Sequence, residues 1–115
     1  MRSGCAGQTV LPQLVEGESA KPTGQALTKE EAAQLREMMR AVVTDGSGRV
    51  LSGLDGPAVI AKTGTAEYGS TTPLKTHVWM IAAQGDLAVA VFVNDGESGS
   101  RTAGPLLRRF LAGAA

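Results

Sequence analysis

Chemistry in this chain concentrates in one run, Ala61-Lys62-Thr63-Gly64-Thr65-Ala66-Glu67, which follows the apolar lead-in Pro57-Ala58-Val59-Ile60. The run joins one cation, two hydroxyls and a residue without a Cβ on what reads as a β-strand. A lysine about 4 Å from a carboxylate gains on the order of 4 kcal/mol before desolvation, at an effective dielectric near 20. Gly64 would let a ligand approach the strand backbone closely. Successive strand residues point to opposite faces, so Lys62 and Thr63 can share one ligand only along the strand's edge. Peptide addition to an exposed sheet edge is a known mode of recognition.

Other reactive side chains are sparse. His77 is the only histidine, so a metal centre lacks partners and a loop-anchoring hydrogen bond is the better reading. Cys5 is the only cysteine, which excludes an internal disulfide and argues against a thiolate zinc site. No apolar stretch precedes Cys5, so Arg2-Ser3-Gly4-Cys5 reads as an incidental thiol rather than a lipoprotein cleavage site. Glu67 reads as a solvated strand-end carboxylate. No cofactor and no metal are expected.

Eleven basic and eleven acidic residues cancel, and aromatics make up 3% of the chain, so neither an electrostatic field nor stacking platforms exist for nucleic acid. No run of about 18 apolar residues is present to span a membrane. As written, the chain is expected to carry no export signal and to stay in the cytoplasm.

The elements that must position the strand can be read from pattern. Residues 1–26 read as an irregular segment rich in Gly, Ser and Pro, with one extended piece over 9–15. Thr28 and Glu31 form a capping box that starts a helix. Leu35, Met38, Met39, Val42 and Val43 give that helix an apolar stripe, and Gly46 should close it in the left-handed conformation near Thr44-Asp45-Gly46. Gly46 to Gly56 reads as a turn-rich linker around Val50-Leu51. A strand at 57–66 carries the lysine, and residues 68–76 read as a polar loop.

A hairpin follows, with strands 77–83 and 87–93 and a two-residue turn at Gly85-Asp86. In that register 84 pairs with 87, 82 with 89 and 80 with 91. One face carries Val78, Met80, Ala82, Val89, Val91 and Val93; the other carries Trp79, Ile81, Ala83, Ala88, Ala90 and Phe92. Both faces are apolar, so both should be covered, with Trp79 and Phe92 in the core. The alanines invite close approach by a closing helix at 102–112, built on Leu106, Leu107, Phe110 and Leu111, with Pro105 in its first turn. Ser98-Gly99-Ser100 reads as its loop and cap, and Arg101, Arg108 and Arg109 as a solvated face. The expected fold is α+β: a partial antiparallel sheet of three main strands with the lysine strand at one edge, a helix before it and a C-terminal helix packed on it. Two helices are too few to cover two faces, and the strand edge lacks a neighbour, so the chain reads as part of a larger layered domain.

Lys62-Thr63-Gly64-Thr65-Ala66-Glu67, followed by His77-Val78-Trp79-Met80 opening the next strand, resembles the C-terminal end of a penicillin-binding protein transpeptidase domain. The likeness runs from about Leu27 to Leu111, and the piece Thr9 to Val15 resembles a segment that this family places earlier. It implies residues 27–115 as the C-terminal portion of such a domain. It further implies acyl transfer from stem peptides ending in D-Ala-D-Ala, in cell-wall synthesis, with β-lactams as the other ligand class. Lys62 would relay protons and supply positive potential. Thr63, Gly64 and Thr65 would bind substrate, the two hydroxyls through its terminal carboxylate, and the Thr65 N–H would be an oxyanion donor. Such a donor is typically worth roughly 2.7–4 kcal/mol in the transition state.

The family's nucleophile lies in Ser-x-x-Lys and its second motif is Ser-x-Asn. No serine of this chain has a lysine three positions later, and the only asparagine, Asn94, follows Phe92-Val93. Without a nucleophile the wall cannot be acylated. The chain is therefore expected to be inactive alone, to need the missing N-terminal part of the domain, and to derive from a parent at the outer face of the cytoplasmic membrane. A fragment of a serine β-lactamase or D,D-carboxypeptidase, or a non-catalytic interaction module reusing the fold, are the alternatives.

Overall fold

The structure, a computed structural model, describes Leu11 and residues 15–17 and 25–114. Apart from Leu11 and Val15, the extended piece expected over 9–15 lies outside the described residues, as does Cys5. Helix α1 spans Lys29–Thr44, and the strands are β1 (Ile60–Tyr68), β2 (Lys75–Gln84) and β3 (Leu87–Val93). One wide π turn, Gly99–Ala103, leads into helix α2, Gly104–Ala114. The sheet is antiparallel in the order β1-β2-β3, so β1 is an edge strand among the described residues and the fold is α+β as expected.

Local chemistry explains the boundaries. Thr28 accepts from the Glu31 N–H while the Glu31 carboxylate accepts from the Thr28 N–H at 2.8 Å, which satisfies two donors that a helix start leaves open. The Thr28 N–H first, and then the Thr28 hydroxyl at 3.0 Å, donate to the Glu31 carboxylate and hold it below its ordinary range. The helix ends at Asp45, but Gly46 does not adopt positive φ. Its N–H donates to Ala41 O, and a Cβ there would lie 3.0 Å from Val42 Cα, so glycine serves close winding rather than a left-handed cap. Gly85 has φ +56 and Asp86 does not share the sign, the pattern of a type II′ turn. That turn sets the hairpin register as expected, with Gln84 opposite Leu87 and Met80 opposite Val91.

Packing departs from expectation in one main respect. Val43 of α1, Leu51, Val59 and Ala61, Met80 and Ala82 of the sheet, and Ala103, Leu107 and Leu111 form one buried cluster. Both helices therefore lie on the same face of the sheet, the face of Val78, Met80 and Ala82. Among the described residues no helix covers the alanine face: Ala88 and Ala90 are exposed and Phe92 is 61% exposed, so Phe92 is not core. The α1 stripe is also narrower than the pattern suggested. Ala32, Met39 and Val43 are buried, whereas Met38 is 62% exposed, because a step of one residue turns a side chain about 100° around the axis.

Arg108 is not part of a solvated face. Its Nη1 donates to Val50 O at 2.7 Å and Ser52 O at 2.8 Å, fastening α2 to the short 3₁₀ turn Arg49–Leu51. Arg101 and Arg109 do stay exposed, Arg101 paired with Glu97. The Ser98 side chain accepts from the Arg101 N–H at 3.2 Å, the cap expected there.

Candidate functional site

Register fixes where each candidate residue points. In β1, Lys62 lies opposite Ile81, Thr63 opposite Met80, Gly64 opposite Trp79 and Thr65 opposite Val78. Lys62 and Gly64 thus belong to the open face, while Thr63 and Thr65 belong to the helix-bearing face. The four residues meet only at the edge of β1, where alternate N–H and C=O groups turn away from β2.

The side chains differ in how they are held. Lys62 is exposed, and its Nζ donates to Thr63 O at 2.7 Å, which lays the ammonium along the strand. Thr63 is half-buried, and its Oγ1 lies 2.9 Å from Ser47 Oγ in the loop after α1. Thr65 and Glu67 are exposed. Gly64 is enclosed on both faces. A Cβ there would overlap the Trp79 indole, and on the other face a Cβ on Gly99 would fall 3.0 Å from Gly64 O and 3.1 Å from Gly64 N. The space expected for a ligand above Gly64 is occupied by Trp79, so the strand is accessible there only from its edge.

A second cluster fixes the far end of β1 on the open face. Tyr68 stacks on His77 at 3.8 Å between centroids, and Phe92 lies 5.4 Å beyond. His77 Nδ1 is 2.8 Å from Asn94 O, the loop-anchoring bond expected of it. The Tyr68 hydroxyl donates to Asp95 Oδ1 at 2.6 Å, and Lys75 Nζ lies 3.4 Å from Asp95 Oδ2. The Tyr68 bond, ahead of Lys75, holds the Asp95 carboxyl below its ordinary range; the same bond pushes the Tyr68 hydroxyl up.

Among the described residues no group of three His, Cys, Asp or Glu is placed to hold a metal ion. No described helix is long and apolar enough to cross a membrane. The sequence reading missed Ser47, Gly99 and the indole over Gly64. A glycine on either side of Ser47, and a tryptophan on the strand paired with Gly64, were the signals available.

The geometry is thus an edge strand bearing a lysine and two threonines, backed by two helices on one face of its sheet. Over residues 5–112 the chain matches the model of the penicillin binding protein transpeptidase domain, and it belongs to that family. It is similar to the crystal structure of the D,D-transpeptidase domain of a peptidoglycan glycosyltransferase from Eggerthella lenta, at TM-score 0.54 and 28% identity. The match covers 86% of this chain and 24% of that one, so the chain spans about a quarter of that relative's length. No curated protein matches the chain.

Proposed function

We propose that this chain supplies the substrate-carboxylate and oxyanion wall of a peptidoglycan D,D-transpeptidase site. The supporting observation is the edge of β1, unpaired among the described residues, which presents Lys62, the Thr63 and Thr65 hydroxyls and the Gly64 backbone together, in a chain of the transpeptidase family. In this reading a stem peptide ending in D-Ala-D-Ala, or a β-lactam, lies along β1 as an added strand. Its terminal carboxylate takes the hydroxyls of Thr63 and Thr65, and the scissile carbonyl oxygen takes the Thr65 N–H. Lys62 contributes positive potential and relays the proton of the attacking hydroxyl. The attacking serine is not among these residues, because none stands three before a lysine. Acylation then requires the part of the domain that carries Ser-x-x-Lys and Ser-x-Asn, in a parent working outside the cytoplasmic membrane.

Fluorescent penicillin tests this on a denaturing gel. The chain alone should take no label. Mixed with a polypeptide carrying the two other motifs of the family, it should allow labelling of that polypeptide, and Lys62→Ala should abolish the signal. A labelled band from the chain alone, or labelling of the mixture indifferent to Lys62 and Thr65, would sink the proposal.

A further inference from the structure

Ser47 stands in a tripeptide, Gly46-Ser47-Gly48, whose glycines do not serve backbone conformation, since neither has positive φ. They serve proximity. A Cβ on Gly46 would lie 3.0 Å from Val42 Cα, and one on Gly48 would lie 3.0 Å from Val42 Cγ1 and 3.3 Å from Met80 Cε. The N–H groups of Gly46 and Gly48 donate to Ala41 O at 3.0 Å and Val42 O at 2.8 Å. Ser47 is thereby pinned on both sides against the last turn of α1, and its exposed side chain meets Thr63 Oγ1 at 2.9 Å. The nearby Asp45 carboxylate is turned elsewhere, accepting from the Thr44 hydroxyl at 2.6 Å.

A hydroxyl has one proton to donate and two lone pairs to accept, and its proton rotates to suit its partners. Two orders are open to the pair. If Thr63 donates to Ser47, Thr63 has no proton for a ligand. If Ser47 donates to Thr63, the Thr63 proton points outward. A carboxylate only accepts, so its arrival selects the second order. We propose that Ser47 is a positioning residue that donates to Thr63 and so turns the Thr63 hydroxyl proton toward the substrate's terminal carboxylate. The inference rests on the wall reading above and adds a specificity device to it. Ser47 makes Thr63 favour a carboxylate, a charged group that can only accept, over the neutral amide of the same peptide, whose N–H groups can instead donate to a Thr63 lone pair in either order.

Titration of the isotope-labelled chain with N-acetyl-D-Ala-D-Ala and with its C-terminal amide, followed at the Thr63 and Thr65 amide resonances, tests it. The wild type should prefer the acid. Ser47→Ala should bind the acid about fivefold more weakly, as expected when one hydrogen bond to a charged acceptor loses its support, and should bind the amide unchanged. Ser47→Thr should restore the preference. A merely structural role would weaken acid and amide alike, and that result overturns the inference. Should Ser47→Ala disturb the Val78 and Val91 amides, marking a misfolded sheet, Ser47→Cys decides. It keeps the shape with a weaker donor and should lose the preference; full retention overturns the inference. No response of the wild type to either peptide overturns the wall reading and this inference together. Equal acid preference in wild type and Ser47→Ala overturns this inference alone.

Discussion

Val78, Met80 and Ala82 on one face of the sheet have no exposure, while Ala88 and Ala90 on the other stay exposed and Phe92 is more than half so. Both faces of the hairpin are apolar. What separates them is the backbone that comes to meet them. Gly48, Gly96, Gly99 and Gly104 all press on the first face, where added Cβ atoms would meet Met80, Val78, the Trp79 carbonyl and Val50. Small residues in the approaching segments mark the covered face; small residues within the sheet do not. Trp79 and the stack of Tyr68, His77 and Phe92 leave the open face partly aromatic and polar-tipped, with His77 and Tyr68 tied to Asn94 and Asp95.

The sharpest way to break this contrast is truncation on each face. Leu107→Ala, at a fully buried position, should cost about 2–5 kcal/mol of unfolding free energy in urea. Phe92→Ala should cost within about 0.5 kcal/mol, as for an exposed site. Equal costs would mean that something covers the open face in solution, and the unfolding midpoint would then depend on protein concentration.

Next in size is Gly64→Ala. The new Cβ must displace the Trp79 indole, an overpacking cost of about 1–3 kcal/mol. In a Gly64→Ala, Trp79→Ala double variant the two costs should fall short of their sum, because the second change makes room for the first. Strict additivity would show that the indole does not rest on Gly64. Arg108→Ala should follow at about 1–2 kcal/mol, since two carbonyls lose a charged donor at a partly buried position. Amide exchange over Arg49–Ser52 should quicken in that variant, and unchanged protection would remove Arg108 from the packing of the covered face.

The smallest effect lies on the open face and is read through pH. Asp95 titrates below its unfolded value, so the stability it supplies is present above roughly pH 4 and is lost as pH falls through the folded value. Tyr68 titrates above its unfolded value, so its share is present below roughly pH 10 and is lost as pH rises through the folded one. Tyr68→Phe should therefore flatten the acid limb of stability and return the Asp95 carboxyl resonance toward an ordinary titration. A carboxyl titration unmoved by Tyr68→Phe would assign the shift to Lys75 instead.

Sequence pattern carried the parts of the fold that depend on near neighbours. Thr28 and Glu31 are three residues apart and their reciprocal cap is legible. Gly85 sets a two-residue turn, and period-two alternation then dictates every pair from Gln84 opposite Leu87 outward. Lys62, Thr63, Gly64 and Thr65 were legible as a strand-edge group for the same reason. Alternation also says that two faces exist, but not which one a helix takes, and the alanines of β3 misled on that point. Contacts between distant segments were beyond its reach. Ser47 and Thr63 are 16 positions apart and meet only because α1 docks its C-terminal end beside β1. Arg108 and Val50 are 58 apart, and nothing local in Leu106-Leu107-Arg108-Arg109 separates the arginine that reaches inward from the one that does not.

Trp79 is the sole tryptophan of the chain, and its ring lies across Gly64. The molecule therefore carries a natural fluorophore against the middle residue of its candidate ligand strand. A peptide that adds to the β1 edge and shifts that strand should change the indole's emission. Occupancy can then be followed by light, with no dye attached and no turnover required.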